Sequence, residues 1–191
     1  MHSLACLPVR HNFSSLREIS PSRSSMRGGP VIRWMPLKRA AIKGDTQKVR
    51  QLLDEGIDAD AGDRNGITAL YVAAADGRLD MAALLIERGA AVDAPDALGA
   101  APLHRAAAEG SVEMVELLLS SGASVDALTR QAWTPLHVAA RAGDAHTAEA
   151  LLAHGADVNA RTQDGWTSLT IASKWEYPDV VELLTRSGGT Q

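Results

Sequence analysis

Aromatic side chains are scarce in this chain of 191 residues: one Phe, two Tyr and four Trp make up 4% of it, although 46% is hydrophobic. The apolar mass is therefore Ala, Leu and Val, which suits small helices packed closely together. Cysteine occurs once, at Cys6. No intramolecular disulfide is possible, which fits a reducing compartment or a fold that needs no bridge. No apolar run reaches the roughly 18 residues that a membrane-spanning helix needs. The chain also lacks a glycine-rich phosphate loop, a Gly-x-Ser-x-Gly elbow and a His-Glu-x-x-His zinc motif. Those absences remove the common hydrolase and nucleotide-binding classes.

Basic charge is confined to one end. Residues 1–36 carry Arg10, Arg17, Arg23, Arg27 and Arg33 against Glu18, a net of +4, whereas residues 37–191 hold 14 basic and 22 acidic residues, a net of −8. An acidic body repels phosphate backbones, so nucleic acid is not an expected partner. Residues 1–29 show no period and are rich in Ser and Arg. Three readings of them stay open. They form a disordered tail, an organelle transit peptide, or an extension upstream of a start at Met26 or Met35. A secretory signal is disfavoured, because Leu4-Ala5-Cys6-Leu7-Pro8-Val9 is too short and no Lys or Arg precedes it.

What the rest of the chain has is repetition. Gly66, Gly99 and Gly165 are spaced by multiples of 33, with Ala132 in the missing slot. Leu70, Leu103, Leu136 and Leu169 keep the same step, as do Gly89, Gly122, Gly155 and Gly188. A fixed period of this length means stacked supersecondary units. Each unit opens on a polar turn, such as Asp63-Arg64-Asn65-Gly66. A helix start follows: Thr68-Ala69-Leu70-Tyr71, Ala101-Pro102-Leu103-His104, Thr134-Pro135-Leu136-His137 or Thr167-Ser168-Leu169-Thr170. Thr caps free N–H groups, and Pro is tolerated at the first helical position. A short Ala-rich helix then closes at Gly44, Gly77, Gly110 or Gly143, each suited to a left-handed stop. A second helix shows apolar residues at helical spacing, as in Val112, Val115, Leu118 and Leu119. An extended tail such as Ala156-Asp157-Val158-Asn159-Ala160 leads into the next polar turn and predicts a hairpin-like finger.

The segments Thr134-Pro135-Leu136-His137-Val138-Ala139-Ala140, Gly143, Leu151-Leu152 and Gly155-Ala156-Asp157-Val158-Asn159-Ala160 resemble the ankyrin-repeat family. The resemblance covers about residues 30–189. It implies an all-α repeat stack, an α-solenoid of paired antiparallel helices with β-hairpin fingers, that binds proteins and carries no catalytic machinery. The expected organisation is a basic tail over 1–29 and a repeat domain over 30–191. Its units are 30–62, 63–95, 96–128, 129–161 and 162–191, and the first and last serve as caps. Arg33 replaces a turn glycine, and Lys38-Arg39 replace a histidine and an apolar residue. Glu176 stands where a helix-stop glycine belongs, and Pro178 is expected to kink the last unit. These departures read as capping.

The period also sorts residues into columns. The slot after the turn glycine holds Trp34, Ile67, Ala100, Trp133 and Trp166, so three of the four tryptophans share it. In ankyrin-like proteins this slot lies on the finger, facing the concave groove, with no core role to explain a large aromatic. Trp is a leading hot-spot residue. Trp175 follows the last first-helix on the same expected face, and Arg130, Arg141 and Lys174 lie in nearby columns. The expected protein-binding set is Trp34, Arg130, Trp133, Arg141, Trp166, Lys174 and Trp175. The competing reading is that Trp133 and Trp166 pack on each other and stiffen the fingers.

His104 and His137 occupy the helix-start slot and are expected to bond neighbouring turns. His146 and His154 have no zinc spacing. No catalytic, cofactor or metal residues are expected. The resulting reading is a soluble, cytoplasmic, monomeric module that binds a protein and neither nucleic acid nor membrane. Alternatives are a regulatory or inhibitory subunit of an enzyme, and a secreted bacterial effector acting on a host protein; for location, the alternatives to the cytoplasm are an organelle or secretion.

Overall fold

The computed structural model describes residues 35–191, and these form ten helices in five pairs. The pairs are α1 (Met35–Lys43) with α2 (Thr46–Asp54), α3 (Ala69–Ala75) with α4 (Leu79–Glu87), and α5 (Pro102–Glu109) with α6 (Val112–Ser120). They continue with α7 (Pro135–Ala142) and α8 (Ala145–Ala153), then α9 (Ser168–Lys174) and α10 (Pro178–Arg186). The expected tail over 1–29 and the slot of Trp34 lie outside the described residues.

Side-chain caps place five of the helix starts among the described residues. The Thr68, Thr134 and Thr167 hydroxyls accept the amides of Tyr71, His137 and Thr170 at 3.1, 3.3 and 3.2 Å. Each satisfies a donor that the first turn leaves orphaned. In the second helices of the first and fourth pairs, Asp45 and Asp144 accept from Lys48 and Thr147 at 2.9 and 3.0 Å. Pro178 is the first residue of α10 and not a kink, because its ring suits that position and its missing N–H would be unpaired anyway. The turn before α10 forms without glycine: Glu176 takes φ +57°, and so does Ala132 in the fourth finger.

Two leucine columns make the core. Leu37, Leu70, Leu103, Leu136 and Leu169 run through the first helices, and Leu52, Leu85, Leu118, Leu151 and Leu184 through the second, all buried. Burying one such side chain contributes about 1.5–3 kcal/mol. First helices pack on first helices and second on second along the row. Buried alanine pairs (Ala73-Ala74, Ala106-Ala107, Ala139-Ala140) fill the first helices, and Met81, Met114 and the leucines fill the second.

The fingers are tight turns and not strand hairpins, and no strand occurs among the described residues. Each is closed by one backbone bond, Asp63 N–H to Ile67 O at 3.2 Å, Asp96 to Ala100 at 2.9 Å, Thr129 to Trp133 at 3.0 Å and Thr162 to Trp166 at 2.9 Å, and the return amide donates to the side chain of the finger's first residue. Five residues leave no length for a ladder. Neighbouring fingers are tied by single bonds, Ala97 N–H to Asn65 O, Arg130 to Leu98 and Gln163 to Gln131 at 2.7, 2.9 and 2.9 Å. A second tie runs below them. Asp60, Asp93, Asp126 and Asn159 accept the amides of Ala91, Ser124, Asp157 and Thr190 in the next unit.

Candidate protein-binding face

Each tryptophan of the last two fingers is held first by its backbone. The Trp133 and Trp166 amides donate to Thr129 and Thr162 Oγ1 at 3.0 and 3.1 Å. Their carbonyls accept from the preceding unit, from His104 Nε2 at 3.0 Å and His137 Nε2 at 3.1 Å. The imidazole Nδ1 atoms meanwhile accept the Ala101 and Thr134 amides, both at 3.1 Å. That leaves the proton on Nε2. Burial pushes both histidine pKa values down, against the backbone carbonyls that favour the charged form. Both rings are therefore neutral structural struts with no nitrogen free for catalysis.

The same column does the same job with other residues. Tyr71 donates to Asp96 Oδ2 at 2.9 Å, and Lys38 pairs with Asp63. Lys38 is thus an inter-unit strut and not a solvent-facing cap substitution. Where the strut is Lys or Tyr, the next finger begins with Asp. Where it is His, the finger begins with Thr. Burial raises the Tyr71 pKa, with Asp96 beside it adding to the effect. Burial alone would raise the Asp63 pKa, but Lys38 and the amides of Ile67 and Asn65 hold it below the ordinary value.

The side chains of the two tryptophans meet cations. Arg141 lies over the Trp133 ring at 5.7 Å and Lys174 Nζ over the Trp166 ring at 4.2 Å. Such contacts are attractive because the ring face is electron-rich. Trp133 also tilts against His137, with centroids 6.0 Å apart. Both indoles are half-buried and pack on the core. The slot therefore has a core role that the column argument denied it. The tryptophans stack on the cations of their own units, and no stacking between Trp133 and Trp166 occurs among the described residues.

The ankyrin-repeat family profile matches residues 37–129 and 124–190, which together span most of the chain. The chain belongs to the ankyrin-repeat family. Ankyrin repeats are in general protein–protein interaction modules. A comparison with curated proteins found no match.

Within this ankyrin stack the expected binding residues separate into groups. Trp133 with Arg141 and Trp166 with Lys174 come together as pairs. Trp175 ends α9 and is 51% exposed. Arg130 is exposed on the fourth finger, where its amide is tied to Leu98 O. Trp34 lies outside the described residues. The sequence reading missed Leu98 and Leu128, which stand 45% and 60% exposed beside these fingers. The signal was present: Leu98 shares a column with Asn65, Gln131 and Asp164, where an apolar residue is out of character. Among the described residues, no helix is long and apolar enough to cross a membrane, and no cluster of metal-ligating side chains forms.

Proposed function

We propose that this ankyrin-repeat chain is a non-catalytic protein-binding module. Its partner docks on the fingers and first helices of the last two units. Trp133, Trp166 and Trp175 supply apolar contact area, and Arg130, Arg141 and Lys174 supply positive charge. The observation that carries this reading is a paired change along the row. Units with Ile67 or Ala100 in the finger slot have Ala75 or Ala108 at the end of the first helix. Units with Trp133 or Trp166 there have Arg141 or Lys174. A purely structural finger works with Ile and Ala, as two units of this chain demonstrate. The large aromatic and its cation are additions to that minimum, and Trp and Arg are the residues enriched in interface hot spots.

The net charge of −8 over residues 37–191 disfavours nucleic acid as the partner. The test is affinity capture from source-cell lysate with the full chain, beside the Trp133→Ala/Trp166→Ala variant. Far-UV circular dichroism on both preparations monitors the fold. A protein retained by the wild type and lost from a folded variant supports the assignment. Equal retention by both refutes it.

A further inference from the structure

The two tryptophan–cation pairs are open in charge, and a third aromatic–cation pair in the same chain is not. Arg105 lies over Tyr71 at 5.8 Å, but Glu109 neutralises it at 3.0 Å and Asp96 satisfies the tyrosine hydroxyl. Among the described residues, Arg141 and Lys174 have no carboxylate partner and no hydrogen-bond acceptor. Each has one face on an indole and its donors free. Two unpaired cations fixed on aromatic rings, in a domain of net negative charge, form a receptor for carboxylates. Arg130 is exposed on the same finger as Trp133.

Their spacing selects the shape of the ligand. The pairs occupy the same slot of consecutive units, and α7 packs beside α9. Helices in contact lie about 8–10 Å apart, so the two backbone slots that carry the cations repeat at about that distance. A polyproline-II chain has three residues per turn and rises 3.1 Å per residue, which places side chains i and i+3 on one face about 9 Å apart. An extended strand puts same-face neighbours at about 6.6 Å or about 13 Å, and neither matches. Pyrrolidine rings between the acids also suit the half-exposed indoles, since aromatic-lined grooves receive proline-rich segments.

We infer that the face built from Trp133, Arg141, Trp166 and Lys174 reads an acidic, proline-rich segment of its partner in the polyproline-II conformation. One carboxylate sits on Arg141 and another, three residues away, on Lys174. This inference rests on the protein-binding reading of the same face and specifies the ligand.

The test uses the full chain and labelled peptides, with binding followed by fluorescence anisotropy and by shifts of the indole N–H resonances. The first peptide carries Pro-Glu-Pro-Pro-Glu-Pro. The second moves the acids to i and i+2, and the third replaces both with Gln. A fourth is an Ala-rich helix with Glu at i and i+7. The first peptide is expected to bind tightest and to shift the Trp133 and Trp166 resonances. Arg141→Gln and Lys174→Gln are each expected to weaken it about fivefold, the effect of losing one partly exposed charge contact. Equal binding of the Gln peptide, preference for the i+2 or helical spacing, no binding at millimolar peptide, or indifference to both substitutions each overturns the inference. A lysate partner lost from the Trp133→Ala/Trp166→Ala variant, with no binding of any peptide, defeats this inference and leaves the protein-binding reading standing. Peptide binding as expected, with lysate capture unchanged in that variant, defeats the reading instead.

Discussion

Replacing Ala132 with glycine should stabilise the chain, and the structure sets the size of the effect. Ala132 holds φ +57°, while Gly66, Gly99 and Gly165 in the same slot hold +73°, +81° and +81°. The finger backbone therefore needs no change to accept glycine. A side chain in the left-handed region costs about 1–2 kcal/mol, and glycine loses about 0.4–1 kcal/mol more unfolded-chain entropy than alanine. The net gain is about 0.8 kcal/mol at the middle of both ranges. The same reasoning applies to Glu176→Gly. The two sites lie in different units and share no partner, so their gains should add. For a chain of this size the double variant should melt about 2–8 °C higher. Urea denaturation followed at 222 nm should show a higher midpoint with an unchanged slope. The reverse substitutions calibrate the argument. A Cβ at Gly165 meets nothing within 4 Å, so Gly165→Ala isolates the conformational cost. At Gly66 it would lie 2.7 Å from the Pro95 carbonyl oxygen and must cost more. A neutral or destabilising Ala132→Gly, or a Gly66→Ala milder than Gly165→Ala, refutes the reasoning.

Other outcomes follow from the same contacts. His104 and His137 have folded pKa values below their unfolded value of about 6.5. The unfolded chain therefore binds more protons below that pH, and stability present at neutral pH is lost as pH falls, by up to about 1.4 kcal/mol per pH unit and histidine. Urea midpoints between pH 7.5 and 5 should show this fall, and His104→Gln/His137→Gln should flatten it; a flat wild-type profile contradicts it. Thr147 Oγ1 is buried without a hydrogen-bond partner in a column shared with Met81, Met114 and Val180. Thr147→Val should raise stability by about 1 kcal/mol, and a lower urea midpoint would show that the hydroxyl is satisfied. Asp126 accepts the Asp157 amide of the next unit, so Asp126→Ala should lower stability by about 1 kcal/mol, read as an earlier thermal midpoint.

Most of the architecture was legible because it is written in columns. The leucine columns, the helix-stop glycines and the Thr caps each repeat with the period, and each has a local physical cause. Three features were harder to read. The fingers look extended in sequence, but strand assignment depends on a ladder that five residues cannot build. Lys38 looked like a solvent-facing replacement for histidine, and only its distance to Asp63 reveals a strut. The pairing of Trp133 with Arg141 and of Trp166 with Lys174 spans eight residues and two elements, so it needs the folded chain to bring the partners together. Its trace is nonetheless in the sequence, since the two columns change together. The burial of the indoles had no such trace, because it depends on contacts with core residues that only the folded chain brings together.

The most direct test of the central claim is amide hydrogen exchange on the full chain, free and saturated with the captured partner. The account predicts slower exchange in the fingers over residues 129–133 and 162–166 and at the ends of α7 and α9, with α4, α6 and α8 unchanged. Protection confined to the second helices, or to the fingers of the second and third units, would contradict it.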